Sequence, residues 1–238
     1  MFDRPTYLAE RTGHGIRVAV IDSGVHAAHP HVAGVYGGLG IDDNGHIVDD
    51  FVDRLGHGTA VAAAIREKAP DAEILAIKVF WRVLATDIAT LTRAIDEASI
   101  RGAHVINLSL GTAEMGHRSR LDSAVDRARR SGALVVAARH DNGTEFLPGC
   151  LAGAIGVEAD DSCDRGTYTV SVRNGQTILR TSPYPRDIPG VPRERNVQGI
   201  SFAVANASGF VARALGAARG SDVAAMLASL QEASCAPS

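Results

Sequence analysis

The chain has 238 residues, of which 45% are hydrophobic and 21% are charged, and this is enough apolar material for one substantial core. The formal net charge of −3 argues against a general nucleic-acid-binding protein. No apolar run reaches the roughly 18 residues that a membrane-spanning helix needs. We therefore expect one domain over residues 1–238, with neither nucleic acid nor a membrane as partner.

The N-terminus lacks a basic segment followed by an apolar run, so we expect no signal peptide and a cytoplasmic location. The three cysteines, Cys150, Cys163 and Cys235, have no CxxC or metal-like spacing. They predict neither a disulfide framework nor a zinc site, and we expect no cofactor.

The first strand-like run covers residues 16–21 and is followed by Asp22. A short apolar run with polar residues at its carboxyl end is typical of a parallel strand that brings side chains to the edge of a sheet. Asp22 is therefore a candidate for chemistry, and a structural turn aspartate is the alternative.

Residues 33–54 are rich in glycine and aspartate and lack helical periodicity, so we expect a loop. Its five aspartates are Asp42, Asp43, Asp49, Asp50 and Asp53. They raise the hypothesis that a substrate carries basic residues, with solvated loop charges as the alternative. His57 follows between two glycines, at the start of a helix of small residues, and these glycines would let neighbouring backbone or substrate approach the imidazole.

Further along, strand-like and helical segments alternate. Strands are predicted over residues 73–79, 104–110 and 132–138, and helices over 86–101 and 118–131. Such alternation implies right-handed crossovers and a parallel sheet covered on both faces. We therefore predict a three-layer α/β fold with a mostly parallel central sheet, with a later hairpin that turns at Asn174 and Gly175.

Small and apolar residues from 202 onward predict a buried helix that begins near Ser201. A serine in the first turn lies beside free backbone N–H groups and the positive end of the helix dipole. This environment suits a nucleophile whose attack creates negative charge. The alternative is a structural serine that only caps the helix.

Four short sequence blocks follow one another along the chain. They are residues 20–24 (VIDSG), 56–59 (GHGT), 105–111 (VINLSLG) and 199–203 (GISFA). They resemble the ordered motifs of the subtilisin-like serine proteases, the subtilases of peptidase family S8. The resemblance implies a triad in which Ser201 attacks the scissile carbonyl, His57 transfers the proton and Asp22 orients His57. It also implies two substrate-binding segments, made of Ser109, Leu110 and Gly111 and of Ala138, Arg139 and His140.

The sequence departs from the family pattern at the predicted oxyanion hole. The resemblance pairs the N–H of Ser201 with an asparagine side chain, but that position holds Asp141. An ionised carboxylate would repel the oxyanion, whereas a neutral carboxylic acid could donate to it. A shift of one residue would present Asn142 instead. Arg139 and His140 replace small residues, which predicts an altered and charged pocket wall.

Two further features concern metals. The predicted helix after His57 leads through residues 67–71 directly into the next strand, which leaves no room for the calcium loop that many relatives carry there. We expect no metal at that position. His29 and His31 flank Pro30, and this segment resembles the family's turn after the aspartate strand rather than a metal site.

These features predict a serine endopeptidase with an Asp-His-Ser triad that acts on a protein or peptide, with a biosynthetic precursor peptide as one candidate substrate. There is no room before Asp22 for the inhibitory prosegment of secreted relatives, which favours an intracellular processing role. The alternative is a protease-like peptide-binding module that is catalytically impaired at Asp141.

Overall fold

The computed structural model describes residues 8, 10–188, 190–217, 223–232 and 234. Its strands are β1 (Arg17–Asp22), β2 (Gly37–Ile41), β3 (Ile47–Val48), β4 (Glu73–Lys78), β5 (Val105–Leu108), β6 (Leu134–Asp141), β7 (Thr144–Glu145), β8 (Ile155–Ala159), β9 (Tyr168–Arg173) and β10 (Gln176–Thr181). Its helices are α1 (His57–Lys68), α2 (Ile88–Ile100), α3 (Arg118–Arg130), α4 (Ile200–Ala217) and α5 (Val223–Glu232). Cys235 and the N-terminal residues 1–7 lie outside the described residues.

The strands form one sheet in the order β3-β2-β4-β1-β5-β6-β8-β10-β9, with β7 beside β6. From β2 to β10 every neighbouring pair on this path is parallel, and β3, β7 and β9 are antiparallel additions. Strand β1 lies near the middle of the sheet. Because parallel strands end at the same edge, the residues that follow β1, β5 and β6 are neighbours in space.

Both faces of the sheet are covered, as the apolar runs of its strands predict. In β1, Val18 and Val20 pack in the core under α1, α4 and α5. Ala19 and Ile21 pack in the second core, under α2 and α3. The expected three-layer α/β fold with a mostly parallel sheet is confirmed.

Helix α4 fills the first core, and the prediction of a buried helix there is confirmed. Nearly all of its residues are buried because small side chains let it pack closely on α1 and the sheet. A Cβ added to Gly209 would lie 2.5 Å from the Cβ of Lys68 on α1. Among the described helices, none combines the length and the apolar character that crossing a membrane requires.

The prediction of a loop over residues 33–54 is wrong in part, because β2 and β3 lie within it. Glycines occupy β2 for a steric reason. A Cβ on Gly38 would lie 2.4 Å from the ring of Phe51, and one on Gly40 would lie 2.5 Å from the carbonyl oxygen of Asp50. Strand β2 therefore contains glycines, which have low strand propensity, and for this reason the sequence does not predict a strand there.

Candidate active site

Asp22 and His57 form a buried pair at the carboxyl end of β1. Asp22 is the last residue of the strand and is fully buried, whereas His57 is the first residue of α1. The Nδ1 atom of His57 lies 2.8 Å from Oδ1 and 2.9 Å from Oδ2 of Asp22. The backbone N–H of Ser23 also donates to Asp22 Oδ1, at 2.7 Å. With Nδ1 held by the carboxylate, Nε2 is the nitrogen left to exchange a proton with a substrate or a nucleophile.

The surroundings of His57 favour its protonated form. Burial alone would lower its pKa, but the hydrogen bond to Asp22 and the charges of Asp22 and Asp53 outweigh burial and raise the pKa above its usual value. An imidazolium is therefore stabilised at this position. This is the species that forms when a histidine accepts a proton from a serine hydroxyl.

The two glycines around His57 have different structural roles. Gly56 adopts a φ of 86°, in the left-handed region that favours glycine. Gly58 lies where α1 meets the loop after β1, and a Cβ there would stand 2.1 Å from the carbonyl oxygen of Gly24. The expected close approach is thus made by neighbouring backbone at Gly58, and it sets the position of the histidine against Asp22.

Asp53 is a second carboxylate near His57. From the sequence it was predicted only as one of five aspartates in a loop. It accepts hydrogen bonds of 2.6–2.9 Å from the hydroxyls of Ser23 and Thr59 and from the backbone N–H groups of Leu55, Gly56 and Thr59. The Ser23 hydroxyl in turn accepts the N–H of Gly58, at 2.9 Å. Burial would raise the pKa of Asp53, but these hydrogen bonds, those from Thr59 first, lower it.

One signal in the sequence could have identified Asp53. An aspartate shortly before a helix start is the residue type that satisfies the free amides of the first turn. Its neighbours in the cluster also have local partners, because Asp42 accepts from the N–H groups of Asn44 and His46 and Asp50 pairs with Arg54 at 2.8 Å. These contacts favour structural loop charges over a preference for basic substrates.

Ser201 is the second residue of α4 and lies where that helix meets the end of β5. Its hydroxyl donates to the carbonyl oxygen of Ser109, at 3.1 Å, and the Ser109 hydroxyl donates to the carbonyl oxygen of Ser201, at 2.9 Å. The ring of Phe202 lies 5.9 Å from the ring of His57. Ser201 therefore precedes a residue whose ring lies near that of His57, and its own hydroxyl is directed toward Ser109.

Buried polar side chains fix β5 to α4 below this point. The amide of Asn107 donates to the hydroxyl of Ser109, at 3.0 Å, and accepts from the hydroxyl of Ser208, at 3.0 Å. All three residues are buried. A buried polar group is stable only when it is hydrogen-bonded, so this chain sets one position for α4 along the strand.

The predicted end of the strand at residue 138 is wrong, because β6 continues to Asp141 and then turns back into β7. Asn142 and Gly143 have φ values of 47° and 81°, which fit a two-residue hairpin turn. Asp141 pairs with Thr144 across this hairpin, and the Asn142 amide lies 3.4 Å from an Asp141 carboxylate oxygen. Their role in an oxyanion hole stays a prediction.

The first substrate-binding segment contacts a residue that the sequence analysis missed. A Cβ on Gly111 would lie 3.2 Å from the Cβ of Phe146, and the N–H of Phe146 donates to the carbonyl oxygen of Arg139, at 2.8 Å. Phe146 therefore lies between the two segments that would flank a peptide. The one available signal in the sequence was that Phe146 is an aromatic residue a few positions after the second segment.

In the second predicted substrate-binding segment, residues 138–140, the charge of Arg139 is neutralised by neighbouring carboxylates. The guanidinium of Arg139 lies 3.2 Å from Glu158 and 3.4 Å from Glu145, and its Nε donates to Gln176, at 3.2 Å. The Arg139 charge is therefore engaged within the protein. His140 pairs with Glu145 along the β6–β7 ladder.

Two segments concern metal binding, which are the histidine-containing turn after β1 and the connection between α1 and β4. His29 lies in a turn, because its N–H donates to the carbonyl oxygen of His26 and its own carbonyl accepts from Val32. Helix α1 leads into β4 through residues 69–72. Within the described part of the chain, no group of three or more histidine, cysteine, aspartate or glutamate residues is placed to hold a metal ion.

The parallel sheet with helices on both faces, and Asp22, His57 and Ser201 at one edge of it, are the features by which known protein families can be compared with this chain. The family model of the subtilase family, Peptidase S8, matches residues 13–234, and the chain therefore belongs to this family of serine proteases. The chain is 36% identical, over 187 residues, to a thermophilic serine proteinase of Bacillus sp. (strain AK1). This match covers 70% of the chain and 45% of the Bacillus protein, so the chain spans about half the length of that relative.

Solved structures show the same fold. Sphericase superposes with a TM-score of 0.68 and 26% identity, over 86% of this chain and 78% of sphericase. The prenylagaramide maturation protease superposes with a TM-score of 0.66 and 25% identity, over 90% of this chain and 80% of that protease. The resemblance stated from four sequence blocks is confirmed at the level of family and fold.

Proposed function

We propose that this chain is a serine endopeptidase that hydrolyses peptide bonds through an acyl-enzyme on Ser201. One observation carries the proposal, which is that buried Asp22 holds His57 by Nδ1, and the ring of Phe202, the residue after Ser201, lies 5.9 Å from the ring of His57. Membership of the subtilase family supports it independently.

In the proposed reaction, the Ser201 hydroxyl attacks the carbonyl carbon and its proton passes to Nε2 of His57. Asp22 stabilises the resulting imidazolium, and the raised pKa of His57 agrees with that role. The oxyanion accepts the N–H of Ser201, which lies in the first turn of α4 and has no acceptor within the helix. His57 then gives its proton to the leaving amine, and water releases the acyl group from Ser201 by the same sequence.

We further propose that the task is the intracellular processing of a precursor peptide rather than general protein degradation. A structural relative at 25% identity is described as a maturation protease for prenylagaramide, which supports a processing role. Phe146 between the two substrate-binding segments also favours a restricted choice of peptide.

Labelling by a fluorophosphonate probe between about pH 5 and pH 8 tests the proposed chemistry, because the probe reacts only with an activated serine. We expect labelling of the parent protein and none of Ser201→Ala. Asp141→Asn is compared alongside: if a neutral Asp141 assists the reaction, labelling of the parent fades toward pH 8 and labelling of Asp141→Asn persists.

A peptide-binding module without catalysis is the second candidate. The observations that favour it are the Ser201 hydroxyl turned toward Ser109 and the carboxylate at position 141. If neither the parent nor Asp141→Asn is labelled at any pH in this range, the triad is not assembled for chemistry and this second candidate replaces the first.

A further inference from the structure

An open cavity of about 470 Å³ lies beside the site and has three walls. The loop after β1 contributes His26, His29 and His31, and the first turns of α1 contribute Ala60 and Ala63. The segment that leads into α4 forms the third wall, with Arg186 among its residues. From the sequence, His29 and His31 were predicted only as part of a turn, and the proposed triad does not use this cavity.

The cavity lies across the edge of the sheet from the expected substrate-binding segment. Leu110 of that segment packs on the core under α2 and α3, whereas Ala60 and Ala63 belong to the α1 side. The cavity also touches Gly56, next to His57, and Val197, which lies shortly before Ser201. A peptide that runs along residues 109–111 and over Ser201 therefore continues toward this cavity on the other side of Ser201.

Arg186 is the cation on the cavity wall that can meet a bound carboxylate, and it also lies near enough to Glu67 to act on that charge. The other charged groups on the elements around the three histidines are Asp53, Arg66, Glu67, Lys68, Asp187, Arg193, Glu194 and Arg195. The described carboxylates among them are engaged, because Asp53 accepts five hydrogen bonds, Glu67 contacts Lys68 and Arg165, and Asp187 lies 3.1 Å from Arg165. Arg66 donates to the carbonyl oxygens of Val32 and Gly34 and so holds the histidine loop on α1.

We propose that this cavity binds the substrate segment that follows the scissile bond and selects an acidic side chain in it. The inference rests on the proposed function, because such a segment exists only where a peptide bond is cut. The apolar walls contact the stem of the side chain, and the carboxylate meets Arg186 and the histidine rings. The imidazole N–H groups can donate hydrogen bonds to this carboxylate, and Arg186 supplies a positive charge.

Partition of an acyl-enzyme tests this selection without knowledge of the cleavage site. p-Nitrophenyl acetate acetylates Ser201 and releases p-nitrophenol. The amine of an added dipeptide amide then attacks the acetyl carbonyl, the new amide bond replaces the serine ester, and the amine proton returns to the Ser201 oxygen through His57. The measurement is the ratio of acetylated dipeptide to acetate for glycyl-glutamate amide, divided by that for glycyl-glutamine amide.

We expect this quotient to be about two to five at pH 6 and at pH 8.5, the range of exposed charge pairs. Replacing the three histidines, as His26→Gln, His29→Gln and His31→Gln together, should lower it. Arg186→Gln should lower it further. His46→Gln is the matched control, since this exposed histidine lies at the β2–β3 turn, and it should leave the quotient unchanged. A quotient of one in the parent at both pH values, or one that the cavity variants do not alter, overturns the proposal.

A binding measurement separates failure of the cavity from failure of the proposed function. Without acetylation or fluorophosphonate labelling, the proposed function fails. The Ser201→Ala protein then still reports on the cavity, through the imidazole NMR signals of the three histidines during titration with each dipeptide amide. Shifts with the glutamate peptide and not with the glutamine peptide support the acidic subsite, and equal or absent shifts overturn it.

Discussion

The two halves of the candidate site are built differently. Around His57, the carboxylates of Asp22 and Asp53 are held by short hydrogen bonds within the loops that end β1 and begin α1. Around Asp141, the chain forms an exposed two-residue hairpin, and the Asn142 amide contacts the carboxylate at 3.4 Å. The groups around His57 are thus fixed by the core before a substrate arrives, whereas the side chains at positions 141 and 142, which would join the N–H of Ser201 at the oxyanion, lie where the sequence can vary at little cost to the fold.

The largest expected effect tests the first half. Asp22→Asn should lower kcat/KM by about 10⁴-fold, because an amide no longer enforces the tautomer of His57 or stabilises its protonated form. Hydrolysis of an activated ester by the purified variant measures this loss. Asp96→Asn, at a surface pair with Arg127, is the control and should retain parent activity. A loss of less than tenfold would show that Asp22 does not orient the base.

The next effect tests the second half. Asp141→Asn should raise the turnover of the protein at pH 8 by about 100-fold, because it replaces a repelling carboxylate with a donor. Steady-state rates from pH 5 to pH 8 measure the gain. Asn142→Ala is the informative comparison: a large loss in that variant, with no gain in Asp141→Asn, would identify Asn142 as the donor.

A packing change at Gly58 tests how tightly the region around His57 is packed. Gly58→Ala should lower the free energy of unfolding by about 1–3 kcal/mol, because the added methyl group overlaps the Gly24 carbonyl oxygen. Urea denaturation provides the measurement. Gly116→Ala is the matched control, since nothing lies within 4 Å of its added Cβ. Equal stability of the two variants would mean that the loop after β1 yields easily.

The smallest effect concerns charge behind the histidine. Asp53→Asn should lower the pKa of His57 relative to the parent, because the carboxylate charge helps to keep that pKa raised. The acid limb of kcat/KM should therefore move to lower pH, since the base must be neutral to act. NMR titration of His57 in both proteins checks the shift directly, with Asp42→Asn as control. An unchanged titration would limit Asp53 to holding the loop.

The same raised pKa has a consequence for stability with a defined sign. A histidine whose pKa is higher in the folded state stabilises the fold when it is protonated. This contribution is fully present below the unfolded pKa of about 6.5 and is lost as the pH rises through the folded value. Asp22→Asn should therefore flatten the dependence of unfolding free energy on pH over that interval, which denaturation at several pH values measures.

Most of the layer architecture follows from the sequence because apolar runs and helical periodicity report directly on burial. The helices α1, α2, α3 and α4 and the hairpin β9–β10 lie close to their predicted positions. Strand β2 escaped prediction because its glycines make room for Phe51, a contact between residues distant along the chain. Strand β8 was also missed, although turn-forming residues flank it, with Gly153 before it and Asp160 and Asp161 after it.

The candidate site was predictable where its residues end strands or begin helices. Asp22, His57 and Ser201 stand at such points, so short motifs identified them. Asp53 was readable from the sequence only as a residue that accepts the free amides at a helix start, whereas its bond to Ser23 and the placement of Phe146 beside Gly111 arise only when separate segments meet. Side-chain pairing of this kind leaves no periodic pattern in a single sequence.

The reciprocal hydrogen bonds between Ser109 and Ser201 join residues that are 92 positions apart, and the bond between Asn107 and Ser208 spans 101 positions. During synthesis, strand β5 is therefore complete long before Ser201 emerges. In the proposed reaction, the base His57 has no partner to activate until α4 closes the first core. The order in which the polypeptide is made would thus delay the proposed activity until α4 has packed on the sheet.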